Sequence, residues 1–189
     1  MKRGHIAVAA ALCAIPASYV LADNNAEDNS SSCSGLPQHA QLRSALSYAR
    51  KQANGGFNLD MWGTVVNRDG VVCAVAFTGE DRRSQWPGSR VISAQMANTG
   101  NAFSLPALAL STANLFSAVS PGGSLYGLQH SNPVNTHVAY RGNANNYGLA
   151  NDPMEGGKIG GINATLAGHV TSDQCVGGDP ACSGVVGSI

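Results

Sequence analysis

His130 and His137 stand seven positions apart, with Tyr126 ahead of them and Tyr140 and Arg141 just behind. Imidazole and phenol oxygens are groups that hold a metal ion, and imidazole also exchanges a proton near neutral pH. A guanidinium beside them offers a planar fork that grips a carboxylate. The plain alternative is a pair of solvated loop histidines. His39 falls in the first turn of an expected helix, where a solvated residue is the default, and His169 lies near the end of the chain. The acidic pair Glu80-Asp81 is followed at once by Arg82-Arg83. That pattern suits a solvated loop better than an acid/base couple, although either carboxylate can hold an exposed cation weakly. No Gly-x-Ser-x-Gly elbow is present, so a nucleophilic serine has no motif to stand on. The Gly-Gly pairs at 122–123 and 156–157 match no phosphate-binding loop, which argues against nucleotides.

The cysteines point to an oxidising compartment. Lys2 and Arg3, the apolar run 6–15 and Val20-Leu21-Ala22 have the layout of a secretory signal peptide, so residues 1–22 are expected to be removed. Ten apolar residues are too few for a helix to cross a bilayer, which takes roughly 20. No membrane span is expected after cleavage, and the chain is expected to be exported, to a periplasm or the extracellular space. Loss of Lys2 and Arg3 leaves a net charge near −2, far from a basic nucleic-acid footprint. Four cysteines remain: Cys33, Cys73, Cys175 and Cys182. An even count in an exported chain favours disulfides, and the spacings are wide for zinc. Cys175 and Cys182 can close a short loop, leaving Cys33 and Cys73 to pair or stay free. Cys73 sits in an apolar run, which raises a thiol's pKa and makes it a poor nucleophile.

The elements around these residues follow from periodicity. Residues 23–35 are small, polar and acidic and are expected to form a flexible arm. Pro37 suits a first helical turn. Leu42, Ala45, Leu46, Ala49 and Ala53 then share one helical face, and Asn54-Gly55-Gly56 ends the helix. Residues 59–66 and 71–77 are rich in β-branched and large apolar residues and flank Asn67-Arg68-Asp69-Gly70, a hairpin turn. The second run is apolar throughout, as expected of a central strand covered on both faces or nearly so. A second helix is expected from Ser89, with Ile92, Met96, Thr99 and Phe103 on one stripe and Ala94, Ala97 and Ala102 allowing close approach. Pro106 is expected early in a third, shorter helix. Residues 120–158 hold seven Gly, six Asn and three Pro, too irregular for regular elements and of a length that is usually functional. Residues 158–163 look like the start of another strand.

The stretches VVNRDGVVCAVAF, SRVISAQMANTGNAF, SPGGSLYGL and GGKIGGIN occur in that order. Together they resemble the GlcG/HbpS-type haem-binding family, its exported members in particular, over roughly residues 36–163. The resemblance implies an α+β fold in which an antiparallel sheet has helices packed against it, and assembly into a homo-oligomer. Some members bind haem, and others accompany enzymes without an assigned activity of their own. The domain is expected to span 36–171, followed by a divergent Cys/Gly-rich tail, 172–189. One departure is evident: GGINATLAGHVTSDQC runs almost directly into that tail, so the family's last strand is shortened, replaced near 164–171, or missing.

On this resemblance the leading expectation is a non-enzymatic module that binds haem, another tetrapyrrole or a small apolar ligand, in haem or redox sensing or handling. The ligand is expected against the sheet, between the second helix and the 120–158 segment, or at a subunit contact. His130, His137 and Tyr140 are the candidate cofactor-binding groups, and Arg141 the candidate cap for a propionate. With no Cys-x-x-Cys-His, covalent haem attachment is not expected. Two alternatives stand beside this one: a small-molecule enzyme or enzyme accessory, and an interaction protein that has kept the fold and lost the ligand.

Overall fold

The structure is a computed structural model and describes residues 32–52, 59–164 and 185–188. The expected signal peptide, the arm up to residue 31, Ala53, the Asn54-Gly55-Gly56 stop, His169, Cys175 and Cys182 lie outside the described residues.

Helix α1, His39–Arg50, opens the fold. Its expected apolar face narrows to Leu42 and Leu46, which are the buried residues of the helix. The hairpin follows as β1, Trp62–Val66, and β2, Val72–Phe77. Gly70 donates its N–H to Asn67 O at 3.0 Å and has φ +75°. This is a β-turn followed by a left-handed residue that glycine adopts without cost. The Asn67 side-chain oxygen accepts from the N–H groups of Asp69 and Val71, at 2.9 and 3.0 Å, and so locks the turn from inside.

The sheet has the order β2-β1-β3, antiparallel throughout, where β3 is Val185–Ser188 at the end of the chain. Alternation along β1 sends Trp62, Thr64 and Val66 to one face and Gly63 and Val65 to the other. Helix α2, Ser89–Phe103, covers the first face. Its Ala94 and Ala97 are fully buried against Val66, Val72 and Val75, whereas Ala102 is exposed. A buried Thr64–Ser93 hydroxyl pair at 2.7 Å keeps that contact free of unpaired polar groups. Helix α1 covers the second face, and Leu46 sits so closely on Gly63 that a Cβ there would lie 2.6 Å from its Cδ1. A disulfide joins Cys33 to Cys73, fastening the approach to α1 onto β2. The fold is therefore α+β, an antiparallel sheet held between helices.

Three expectations change. The 158–163 stretch forms no strand: Lys158 and Gly160 make single bridges to Val71 and Val134. Gly160 and Gly161 both have positive φ, +60° and +81°, which takes the chain out of the extended conformation. The strand beside β1 comes instead from the last residues, Val185–Ser188. The third helix does not begin at Pro106. Residues 105–108 form a tight bridged turn, and helical turns resume at Thr112–Leu115 (3-10) and α3, Phe116–Val119. Finally, β2 is buried along its length although it ends the strand order. Residues 155–158 cover its outer edge, through Val72 N to Gly157 O at 3.0 Å and Gly156 N to Val72 O at 2.8 Å. An edge covered in this way offers no template to another chain.

Candidate functional site

The 120–158 segment is ordered by short turns: α4, Leu128–Ser131, α5, Thr136–Ala139, and a 3-10 turn at Ala144–Asn146. His130 lies in α4 and His137 in α5, both exposed. Tyr140, at the end of α5, is 62% exposed. Arg141 is half-buried and turned inward, donating to the carbonyls of Pro153 and, at 2.6 Å, Glu155. It holds in place the turn that covers β2, so its guanidinium is already engaged. His39, expected to be solvated, has its Nε2 2.9 Å from Gly148 O and is half-buried. The sheet draws α1 towards the 147–149 turn, which spacing along the chain does not reveal.

The strongest polar cluster links residues that sequence reasoning left unpaired. Arg90, in the first turn of α2, is 2% exposed and Asp152 is 0% exposed. Arg90 Nε donates to Asp152 Oδ2 at 2.8 Å, and Nη2 donates to Oδ1. The remaining Nη1 donates to Ala139 O at 2.7 Å, and the Tyr147 ring lies over the guanidinium at 3.7 Å. Asp152 also accepts from the N–H groups of Gly148 and Met154, at 2.6 and 2.8 Å. Every lone-pair direction is used, which is the condition for burying such a pair. The outcome is a fixed 139–154 segment and a fixed Tyr147. The one hint in the sequence is an arginine among the small apolar residues of α2.

Tyr147 lines a cleft of about 410 Å³ between the end of β2, the loop after it and the 145–149 turn. Phe77, Tyr147 and Leu149 form an apolar floor, and Glu80 to Arg83 with Asn145 form the rim. The floor is built firmly. Phe77 packs edge-on against Trp62 with ring centroids 5.2 Å apart, and Arg43 lies over the Phe77 ring at 5.1 Å. Gly148 presses on both rings, since a Cβ there would fall 2.3 Å from Phe77 and 2.6 Å from Trp62. The rim loop is pinned by buried Gln85, which accepts from Gly79 N at 3.1 Å and donates to Asp81 O at 2.6 Å. Trp62 Nε1 adds a bond to Trp86 O at 3.0 Å. The Arg83 backbone N–H, 2.7 Å from Asp81 Oδ1, holds the Asp81 carboxyl below its usual range. Arg82 makes no ion pair among the described residues.

Glu155 lies apart from the cleft, on the edge of β2, where it accepts from Val75 N at 3.2 Å. Burial pushes its carboxyl up to about 7 against that hydrogen bond, and the Asp152 charge adds to the effect. Among the described residues no group of three His, Cys, Asp or Glu side chains could hold a metal ion.

The fold and site together define an α+β domain with an open cleft, aromatic below and ionic at its mouth. No protein-family model matches the chain, and no curated protein matches it. Among solved structures it is similar to the crystal structure of Klebsiella pneumoniae protein ORFY, described with the family-model DUF336. The identity is 22% and the TM-score 0.42, over 80% of this chain and 74% of that one.

Proposed function

We propose that the protein is an exported, non-enzymatic module that binds haem or another tetrapyrrole. In this reading the macrocycle rests on Tyr147 and Leu149, with Phe77 packed beneath them, and the macrocycle's acid groups lie against Arg82 and Arg83. The cleft is the observation that supports it: an apolar floor under a rim on which Arg82 and Arg83 stand beside Glu80 and Asp81. The lining includes no imidazole, thiolate or thioether for an iron, and its one phenol, Tyr147, donates to Arg141 O at 3.3 Å. His130, His137 and Tyr140, the expected iron ligands, are exposed and do not line the cleft, and Arg141 is better described as a clamp on the 153–155 turn than as a propionate cap. The disulfide favours export, because such bonds persist in oxidising compartments. No described helix is long and apolar enough to cross a membrane.

Titration of the purified mature chain with hemin and with iron-free protoporphyrin tests the reading. Saturable binding of both is expected, weakened about tenfold or more by the Arg82→Ala/Arg83→Ala double variant, on the scale of lost charge-assisted hydrogen bonds. His130→Ala and His137→Ala test the iron ligand: a changed hemin spectrum with unchanged porphyrin binding assigns ligation to them, and an unchanged spectrum removes them as ligands. Failure of either pigment to bind saturably removes the proposal. The enzyme alternative has one observation in its favour, a carboxyl with a pKa near neutrality at Glu155. That group is tied to the edge of β2 and does not line the cleft, which makes its role structural.

A further inference from the structure

The four charged side chains at the mouth of the cleft are not equivalent. Asp81 and Arg83 engage each other: Asp81 Oδ1 accepts from the Arg83 backbone N–H at 2.7 Å, and Oδ2 lies 3.4 Å from Arg83 Nη2. Both side chains are exposed, so water and salt screen the pair, and its main effect is on the shape of the loop. Arg82, between them in sequence, differs. It is half-buried, it lines the cleft, and its guanidinium makes no hydrogen bond or ion pair among the described residues. Arg43, Arg50, Arg68, Arg83, Arg90 and Arg141 each have an oxygen partner, so Arg82 is the exception among the described arginines. A guanidinium held partly out of water with no acceptor is a fork that an entering carboxylate completes. Partial burial strengthens such a pair, because the dielectric there is lower than in bulk water.

Glu80 sets the limit on what can enter. It is exposed on the same rim and also has no partner among the described residues. Two acids thus face two guanidinium groups around the mouth, and Asn145 adds only a neutral amide. One carboxylate fits at Arg82. A second finds Arg83 already opposed by Asp81, and Glu80 repels it. We propose that the cleft reads a single carboxylate of its ligand, held by Arg82, and leaves any second acid group in solvent. The proposal rests on the tetrapyrrole reading and narrows it from two guanidinium contacts to one. One acid-bearing edge of the macrocycle enters the cleft, and a planar monoacid satisfies the site.

Fluorescence titration of the purified mature chain with protoporphyrin IX, its monomethyl ester and its dimethyl ester is the test. The wild type is expected to bind the diacid and the monoester within about threefold of each other, and the dimethyl ester with an affinity lower by about tenfold or more. Arg82→Ala is expected to erase that preference, so that the three pigments bind alike. Its urea midpoint is expected to match wild type, since no protein partner is lost. Arg82→Lys keeps the charge without the fork and is expected to restore part of the preference. Arg83→Ala is expected to retain it. A wild type that binds the dimethyl ester as tightly as the diacid overturns the proposal, as does a monoester as weak as the dimethyl ester. A preference that survives Arg82→Ala, or that Arg83→Ala erases, overturns it too. In each of these cases pigment still binds and the tetrapyrrole reading stands. Absence of saturable binding by all three pigments removes that reading, and this proposal with it.

Discussion

Removing the Asp152 carboxylate should be among the most damaging small changes in the described residues. Asp152→Ala leaves the Arg90 guanidinium, 2% exposed, without its counter-charge and takes the acceptor from the Gly148 and Met154 N–H groups. Breaking a buried pair from one side costs about 3–5 kcal/mol. The two orphaned N–H groups belong to the same network, so their loss is largely contained in that figure rather than added to it. A domain of this size is stable by roughly 5–15 kcal/mol, so about a fifth or more of the total is at stake. With a urea slope of about 2 kcal/mol per molar, the unfolding midpoint should fall by roughly 2 M. Equilibrium denaturation followed by circular dichroism measures the shift directly. The paired variant Arg90→Met/Asp152→Ala is the control: it removes both charges, so it should recover part of the loss despite altering two residues. A midpoint shift below about 0.5 M for Asp152→Ala, under 1 kcal/mol on the same slope, would refute the reasoning, as would a double variant no better than the single.

Other outcomes follow from the same geometry. The Cys33–Cys73 disulfide closes a loop across a separation of 40 residues, so Cys73→Ala or reduction should cost about 4 kcal/mol by loop entropy, read from thermal unfolding with and without reductant. Glu155 has its folded pKa raised from 4.5 to about 7, so the folded state holds the proton more tightly than the unfolded chain. Its contribution is complete below about pH 4.5 and is lost as pH rises through about 7; with its partial exposure discounted, stability should decline by about 1–2 kcal/mol across that window. Urea midpoints across this pH range should show that component in wild type and a flatter profile in Glu155→Gln. Gly148→Ala would set a Cβ against Phe77 and Trp62 at φ +78°. A loss of about 1–3 kcal/mol is expected from overpacking, together with weakened pigment binding, since both rings must shift under the cleft.

Some of this architecture is legible in the chain itself. The hairpin shows in its two β-rich runs and in Gly70, because strand propensity and a left-handed turn residue act over a few neighbours. Helices α1 and α2 show in their apolar stripes for the same local reason, although Ala102 turned out exposed and Ile92 half-buried. The even number of cysteines expected after removal of a signal peptide implies disulfides, yet the choice of Cys33 for Cys73 required β2 to pass beneath the approach to α1. The strand Val185–Ser188 has only four residues, and its place was set by the open side of β1, an edge that exists only after the hairpin has folded. Arg90 and Asp152 are 62 positions apart and become partners because α2 and the 139–154 segment meet at the same face of the sheet. The cleft combines the end of β2, the loop beyond it and a turn some 70 residues later, and no periodicity connects the three. Sequence determined the elements, since hydrogen-bond patterns and side-chain preferences are local. Tertiary structure decided the pairings, because burial leaves a charge, an edge or a glycine-sized gap only with the partner that the completed fold brings to it.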